Sequence, residues 1–293
     1  MNVFLSGKKD QDYYLKSFAR SMDGNLLQTS RFVRVRNNGS EDIIIRDQTL
    51  GTSQDIVFAG LLRGNYHLLK YANDNNLDFF YIDHAYFDPG YKGKRWMRIV
   101  KNGFVKNIIT GEIDCKRLYQ NFKIDFQKYH EYKDKRNIVV LPPSNTVSRV
   151  FDCIDWEEKI VSEIKKYTDR PIVMRYKNGP IMDETMTRSK SRQIYNYDKT
   201  IQEELNDAYC VVSFNSSVAL RALEMGIPVI CEKYCPAYPV SNKIQDIENL
   251  IEYEREKLFT SLSWGQFNIE EARNSKTFRI LKNIKQWDDY NGI

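Results

Sequence analysis

The chain has 293 residues, 42% of them hydrophobic, and a net charge of +5, which fits a soluble globular protein with room for two domains. No apolar run approaches the roughly 18 residues of a membrane span, and the opening MNVFLSGKKDQDYY turns charged too early for a secretory signal. Five cysteines without a CxxC pair, and three histidines remote from any cysteine pair, argue against zinc and for free thiols in a reducing cytoplasm.

In chain order, MNVFLS reads as a short apolar strand ending at Ser6-Gly7, followed by helical spacing over 13–21. DIVFAGLL (55–62) is strand-like, and the segment after Gly64 reads as a helix closed by asparagines. LDFFYIDHAYF (77–87) is a β-rich run ending in an Asp-Pro-Gly turn. Residues 111–136 are polar and read as a linker or connecting helix. The pattern then restarts. NIVVLPPS (137–144) is a strand and turn, WEEKIVSEIKKYT (156–168) an amphipathic helix, and RPIVMRYK (170–177) a strand. IQEELNDAY is a helix, CVVSF a strand, SVALRALEMG a helix ended by Gly226, and IPVICEK a strand. Alternation of this kind implies mainly parallel sheets. The expected fold is α/β, with two facing Rossmann-like domains, 1–136 and 137–293, a cleft between them, and final helices crossing back.

Ligands of open parallel sheets bind outside the carboxyl ends of the strands. Ser213, Asn215, Ser216 and Ser217 fall at such a place. Helix capping accounts for one residue of this type, whereas four in five positions favour a ligand such as a diphosphate or a sugar. Arg175 and Lys177, two apart on an expected strand, would share a face, and Ser144 would sit at a neighbouring strand end.

The run SNSSVALRALEMGIPVI resembles the donor-binding region of GT-B glycosyltransferases, including capsule and teichoic-acid-type enzymes. The order LPPS…TDRPIVMRYK…VVSFNSSVALRALEMGIPVI…LSWGQFNIEEA looks like a family of phage-encoded GT-B-like proteins and covers the second half. YIDHAYF with the following Arg95 and Arg98 looks like that family's first half. The resemblance implies a nucleotide-sugar donor, a UDP-sugar by preference, held by the serine turn, Ser144, Arg175 and Lys177. It also implies that Glu224 contacts ribose or sugar hydroxyls, although a solvent-facing helix acid explains Glu224 equally well. Glu224 and Glu232 have the E-x(7)-E spacing of many retaining enzymes, but at the wrong places, which favours inversion. No metal and no further cofactor are expected.

Catalysis by inversion needs a base. Asp83, at the end of an apolar strand beside His84, is the first candidate; both residues also fit a turn or a structural role, and Asp88 fits a turn. Arg63, Arg95, Arg98 and Lys101 are candidates for an anionic acceptor. Residues 91–106 carry six Lys or Arg and no acid, and RSKSR (188–192) adds a second basic group. Trp264 and Phe267 read as packing residues, and Gln266 as a residue facing the cleft. The expected acceptor is a hydroxymethylated pyrimidine in duplex DNA, without membrane insertion. The alternatives are a surface glycan, or a non-catalytic DNA- or glycan-binding protein.

Overall fold

The structure, a computed structural model, describes residues 1–29, 55–87, 96–105, 108–109, 114–182, 188–274, 280–281 and 284–285. The first half contains β1 (Asn2–Leu5), α1 (Lys9–Arg20), β2 (Asn25–Gln28), β3 (Ile56–Ala59), α2 (Asn65–Asp74), β4 (Phe79–His84), β5 (Met97–Lys101) and the short β6 (Ile108–Ile109). There follow α3 (Lys116–Asn121), β7 (Asn137–Leu141), α4 (Asn145–Val150), α5 (Trp156–Ile164), β8 (Ile172–Met174), β9 (Gly179–Met182) and β10 (Arg188–Gln193). The last part holds α6 (Ile201–Asn206), β11 (Ala208–Ser213), α7 (Val218–Glu224), β12 (Val229–Cys231), α8 (Glu256–Trp264), β13 (Gln266–Phe267), α9 (Ile269–Ala272) and β14 (Ile284–Lys285).

Two compact units divide the chain: Met1–Asp114, Met182–Arg188 and Ser261–Ile293 form the first, and Cys115–Ile181 with Ser189–Thr260 the second. The main sheet of the first has the order β13-β5-β4-β3-β1-β2. Its strands β2, β1, β3 and β4 are parallel, and β5 and β13 close it in antiparallel pairing. NVFL and IVFA are buried at every position, as expected for inner strands covered on both faces. Helix α1 lays Tyr14, Leu15 and Phe18 on this sheet, where they join Val3, Leu5, Val57, Phe80 and Ile82.

The second sheet, β12-β11-β7-β8, is parallel throughout. Its inner strands are again continuous apolar runs, NIVVL and AYCVVS. Taken by the chain order of their parallel strands, both sheets have the arrangement second, first, third, fourth. In each, the order reverses between the first and third strands, β1/β3 and β7/β11. Such reversal points open a crevice at the strands' carboxyl ends.

Residues 115–136 group with the second sheet rather than with the first half of the chain. Gln127 donates its N–H to the Glu224 carbonyl (2.8 Å), Phe126 packs edge-on to Phe259, and Tyr132 meets Tyr209. Residues 261–293 group with the first sheet, which β13 extends. No helix among the described residues is long and apolar enough to cross a membrane.

Candidate functional site

At the β7/β11 reversal, Ser144 and the turn 213–217 lie at the carboxyl ends of adjacent strands. Ser213 is fully buried, and its Oγ accepts the Ser216 N–H at 3.0 Å. Ser216 Oγ accepts the Val218 N–H at 3.2 Å. These two hydroxyls therefore stitch the turn itself. Ser217, exposed at the start of α7 with helical dihedrals (φ −66°, ψ −13°), makes no cap bond, and half-buried Asn215 has no side-chain partner among the described residues. Ser144 caps α4, accepting the Val147 N–H at 3.5 Å. The cluster thus splits into two residues that stitch the turn and two whose side chains have no hydrogen-bond partner among the described residues.

Strand β8 stops at Met174, so Arg175 and Lys177 lie beyond it and strand alternation does not place them together. Arg175 still continues the line of β8, donating its N–H to the Val140 carbonyl at 2.9 Å. Its guanidinium lies 3.7 Å over the Tyr197 ring and 3.9 Å from the Glu204 carboxylate, with the side chain 14% exposed. Among the described residues Nη1 has no hydrogen-bond partner, and Lys177 is exposed and unpaired. Tyr197 and Glu204 escaped the sequence reading because they follow Arg175 by 22 and 29 residues.

An aromatic wall stands at the same carboxyl edge. Phe214 follows β11, Tyr234 follows β12, Phe151 ends α4 and Trp156 begins α5. Tyr234 stacks on Phe214 (5.3 Å) and meets Phe151 (4.3 Å), and Trp156 meets Phe214 edge-on (5.6 Å). The Trp156 indole N–H donates to Glu232 at 2.9 Å. The apolar wall, a few polar groups with unspent bonds and a cation have the composition of a small-molecule site. Glu224 is not brought to it. Helix α7 runs back to the amino edge of the sheet, where Glu224 accepts from Arg221 (2.6 Å) and from the Asp125 N–H (3.4 Å).

In the first unit, Asp83, one residue before the end of β4, lies opposite Arg98 of β5. Its carboxylate accepts the Tyr81 hydroxyl (2.8 Å), Arg98 Nη2 (3.2 Å) and the His84 N–H (2.8 Å). Burial works to raise the Asp83 carboxyl, but Arg98, then His84 and the Tyr81 hydroxyl, hold it below the usual carboxylate range. Burial and the Asp83 charge push the Tyr81 phenol well above its ordinary value. Arg98 is further enclosed by the Tyr86 and Phe104 rings. His84 is exposed at the strand end. Lys101 pairs with Asp78 at 3.5 Å. Arg63 is exposed, with a left-handed backbone at φ 61°. Arg95 and Asp88 lie outside the described residues.

Gln266 does not face a cleft. It is fully buried, accepts the Tyr86 N–H at 2.8 Å and donates to the Phe87 carbonyl at 3.1 Å, which pins the chain just after Asp83-His84. Gln266→Leu leaves both backbone groups without their partner and should cost about 1–3 kcal/mol in urea denaturation; a loss within ±0.5 kcal/mol would contradict this pinning role. Phe267 is 1% exposed in the core, as a packing residue.

One mixed and one parallel sheet, each with helices, make this an α/β chain, and its similarities to known proteins are as follows. No family model matches the chain. Over 110 residues it is 30% identical to the 82 kDa subunit of the early transcription factor of Yaba monkey tumor virus (strain VR587), a match covering 36% of this chain and 15% of that protein's length. Among solved structures it is similar to two chains of KpsC from Thermosulfurimonas dismutans. The β-Kdo 2,7-transferase aligns with a TM-score of 0.47 and 11% identity, and the β-Kdo 2,4-transferase with 0.45 and 8%. Each alignment covers 96% of this chain and 98% of the other.

Proposed function

We propose that the chain is a glycosyltransferase of GT-B type whose second unit takes a nucleotide-sugar donor, a UDP-sugar by preference. The carrying observation is the β7/β11 reversal, where Asn215 and Ser217 have no side-chain partner among the described residues and Arg175 follows β8, the strand on the other side of β7. In this reading the donor phosphates meet Ser217, Asn215, Arg175 and Lys177. Ser213, Ser216 and Ser144 hold the turns. The acceptor hydroxyl oxygen bonds to the anomeric carbon from the face opposite the leaving group, so the reaction inverts. The bond from that carbon to the phosphate oxygen breaks, the nucleoside diphosphate keeps the electron pair, and the acceptor proton passes to a base. The cations at the phosphates offset the departing charge without a metal.

The proton-accepting role falls to the Asp83–His84 pair. Asp83 is ionised at neutral pH, and the ion pair with Arg98 fixes its position. The same pairing makes it a weaker base, so exposed His84 carries more of the role than the sequence alone implies. The acceptor is a hydroxyl compound. Arg98 and Lys101 are engaged with Asp83 and Asp78, and they add nothing to a DNA-backbone surface. A DNA acceptor accordingly rests on Arg63, on the basic group 188–192 and on residues outside the described ones.

The test is nucleoside diphosphate release from a panel of nucleotide sugars, with an oligosaccharide or hydroxymethylated DNA as acceptor. Turnover above hydrolysis with one pairing is expected, and Asp83→Asn or His84→Gln should lower it by about 10²–10⁴-fold while nucleotide binding survives. No turnover with any pairing, despite nucleotide binding, would favour a non-catalytic binding protein. Wild-type rates in both variants would remove the pair from the mechanism.

A further inference from the structure

The first unit has its own reversal crevice, at the carboxyl ends of β1 and β3, and its construction differs from the surroundings of Asp83. After β1, the Asp12 carboxylate receives the N–H groups of Ser6 and Gly7, each at 2.9 Å, one on each oxygen. After β3, buried Asn65 donates to the Ala59 carbonyl at 2.8 Å and receives the Thr29 hydroxyl at 2.8 Å. Both turns are thus fixed from below. Three residues of these turns, Gly7, Gly60 and Gly64, use left-handed backbone at φ 81°, 67° and 91°. A fourth, Arg63, does so at φ 61° without being glycine, a conformation that is unfavourable for a residue with a Cβ.

Gln11, on α1, supplies an independent observation. It is 7% exposed, and its Oε1 receives the Ser6 hydroxyl at 3.5 Å, while its Nε2 has no acceptor among the described residues. That nitrogen lies 3.3 Å from the position a Cβ on Gly60 would take. The amide donor therefore points at the turn after β3, and Gly60 leaves the space in front of it open. An amide donor that the protein leaves without an acceptor at an open turn is available to an oxygen of a ligand. Two cations belong to the same turns: Lys8, after Gly7, and Arg63, before Gly64. Neither has an acidic partner among the described residues.

We infer that this crevice binds the anionic group of a small hydroxylated compound, a phosphate or carboxylate on a sugar-like ring. The Gln11 amide and Ser6 lie at its floor, and Lys8 and Arg63 at its rim. The donor is an amide N–H and the charges are positive, so the recognised group is an oxyanion; the hydroxyl-capable Ser6 and the open space at Gly60 suit a polyol that carries it. Identification of this compound as the acceptor rests on the transferase reading above, whereas its binding does not.

The test is isothermal titration of the full chain with glucose 6-phosphate, glucuronate and, as neutral control, glucose. At least one of the two anions should bind tenfold or more tightly than glucose, and the better one identifies phosphate or carboxylate as the recognised group. Gln11→Leu should weaken that binding at least tenfold. Arg63→Gly should do the same while raising the melting temperature by about 2–4 °C, since it relieves the backbone cost; a loss of binding with a gain in stability separates recognition from misfolding. UDP affinity, measured in parallel, should be unchanged in both variants, so a failure of the nucleotide site reads out separately. The inference is overturned when neither anion outbinds glucose, or when Arg63→Gly binds the anion as tightly as the natural chain.

Discussion

Gly226→Ala is expected to destabilise the second unit by roughly 2–5 kcal/mol, the sum of a left-handed backbone penalty and an overpacking penalty. Gly226 follows α7 at φ 73°, the position where helices end on glycine. A Cβ there would stand 2.3 Å from the Lys128 carbonyl oxygen and 2.8 Å from its carbon. Those atoms are backbone and cannot move aside as a flexible side chain does. They are also held in place: Gln127 donates to the Glu224 carbonyl, and the Arg255 guanidinium, between the Phe126 and Tyr129 rings, bridges the carbonyls of Leu223 and Gln127. Urea denaturation followed by tryptophan fluorescence measures the loss. A value below about 1 kcal/mol would mean that the segment 125–129 does not press on α7.

Arg175→Ala is expected to act twice. It leaves the Glu204 carboxylate, 12% exposed and 3.9 Å from the guanidinium, without its cation. It also strips a stacked group from Tyr197. Breaking a largely buried pair by removing one partner costs about 3–5 kcal/mol when desolvation is complete; the residual exposure and the 3.9 Å separation place the expected loss near 2 kcal/mol. The second effect is on nucleotide affinity, which should fall at least tenfold, about 1.4 kcal/mol. Glu204→Gln separates the two. It keeps the packing and removes the charge that competes with a phosphate for Arg175, so nucleotide affinity should rise several-fold even where stability falls. If Glu204→Gln weakens nucleotide binding while the fold is intact, Arg175 serves as a structural stack on Tyr197 and does not meet the phosphates.

The inner strands were legible because they are buried on both faces, and NVFL, IVFA, NIVVL and AYCVVS stand out as uninterrupted apolar runs. The serine turn was legible for a related reason: four small polar residues directly after a buried strand are conspicuous. Their division of labour was not. Whether a serine stitches its own turn or faces the crevice depends on dihedrals, and Ser213 and Ser217 look alike in one dimension. Glu224 misled because a helix of seven residues covers about 10 Å, enough to carry an acid from the carboxyl edge of the sheet to the amino edge. The Asp83–Arg98 pair depends on antiparallel register between β4 and β5, which a sequence pattern does not specify. The stacking of Arg175 on Tyr197 joins residues separated by a two-stranded excursion, which the sequence does not show. Segment 111–136 looked like a linker or connecting helix because it is polar. Three of its apolar residues, Leu118, Phe122 and Tyr132, are nonetheless buried.

The central claim is that the crevice at the β7/β11 reversal holds the phosphates of a nucleotide. Its most direct measurement is a calorimetric titration of the full chain with nucleoside diphosphates, UDP first, each beside its nucleoside. It is repeated for Ser217→Asp, which sets a negative charge at an exposed position of the turn without touching the stitching bonds of Ser213 and Ser216. The account predicts that one diphosphate binds at least tenfold more tightly than its nucleoside, and that Ser217→Asp removes the advantage while the melting temperature stays within about 2 °C. Equal affinities for diphosphate and nucleoside, or a diphosphate affinity indifferent to Ser217→Asp, would contradict it.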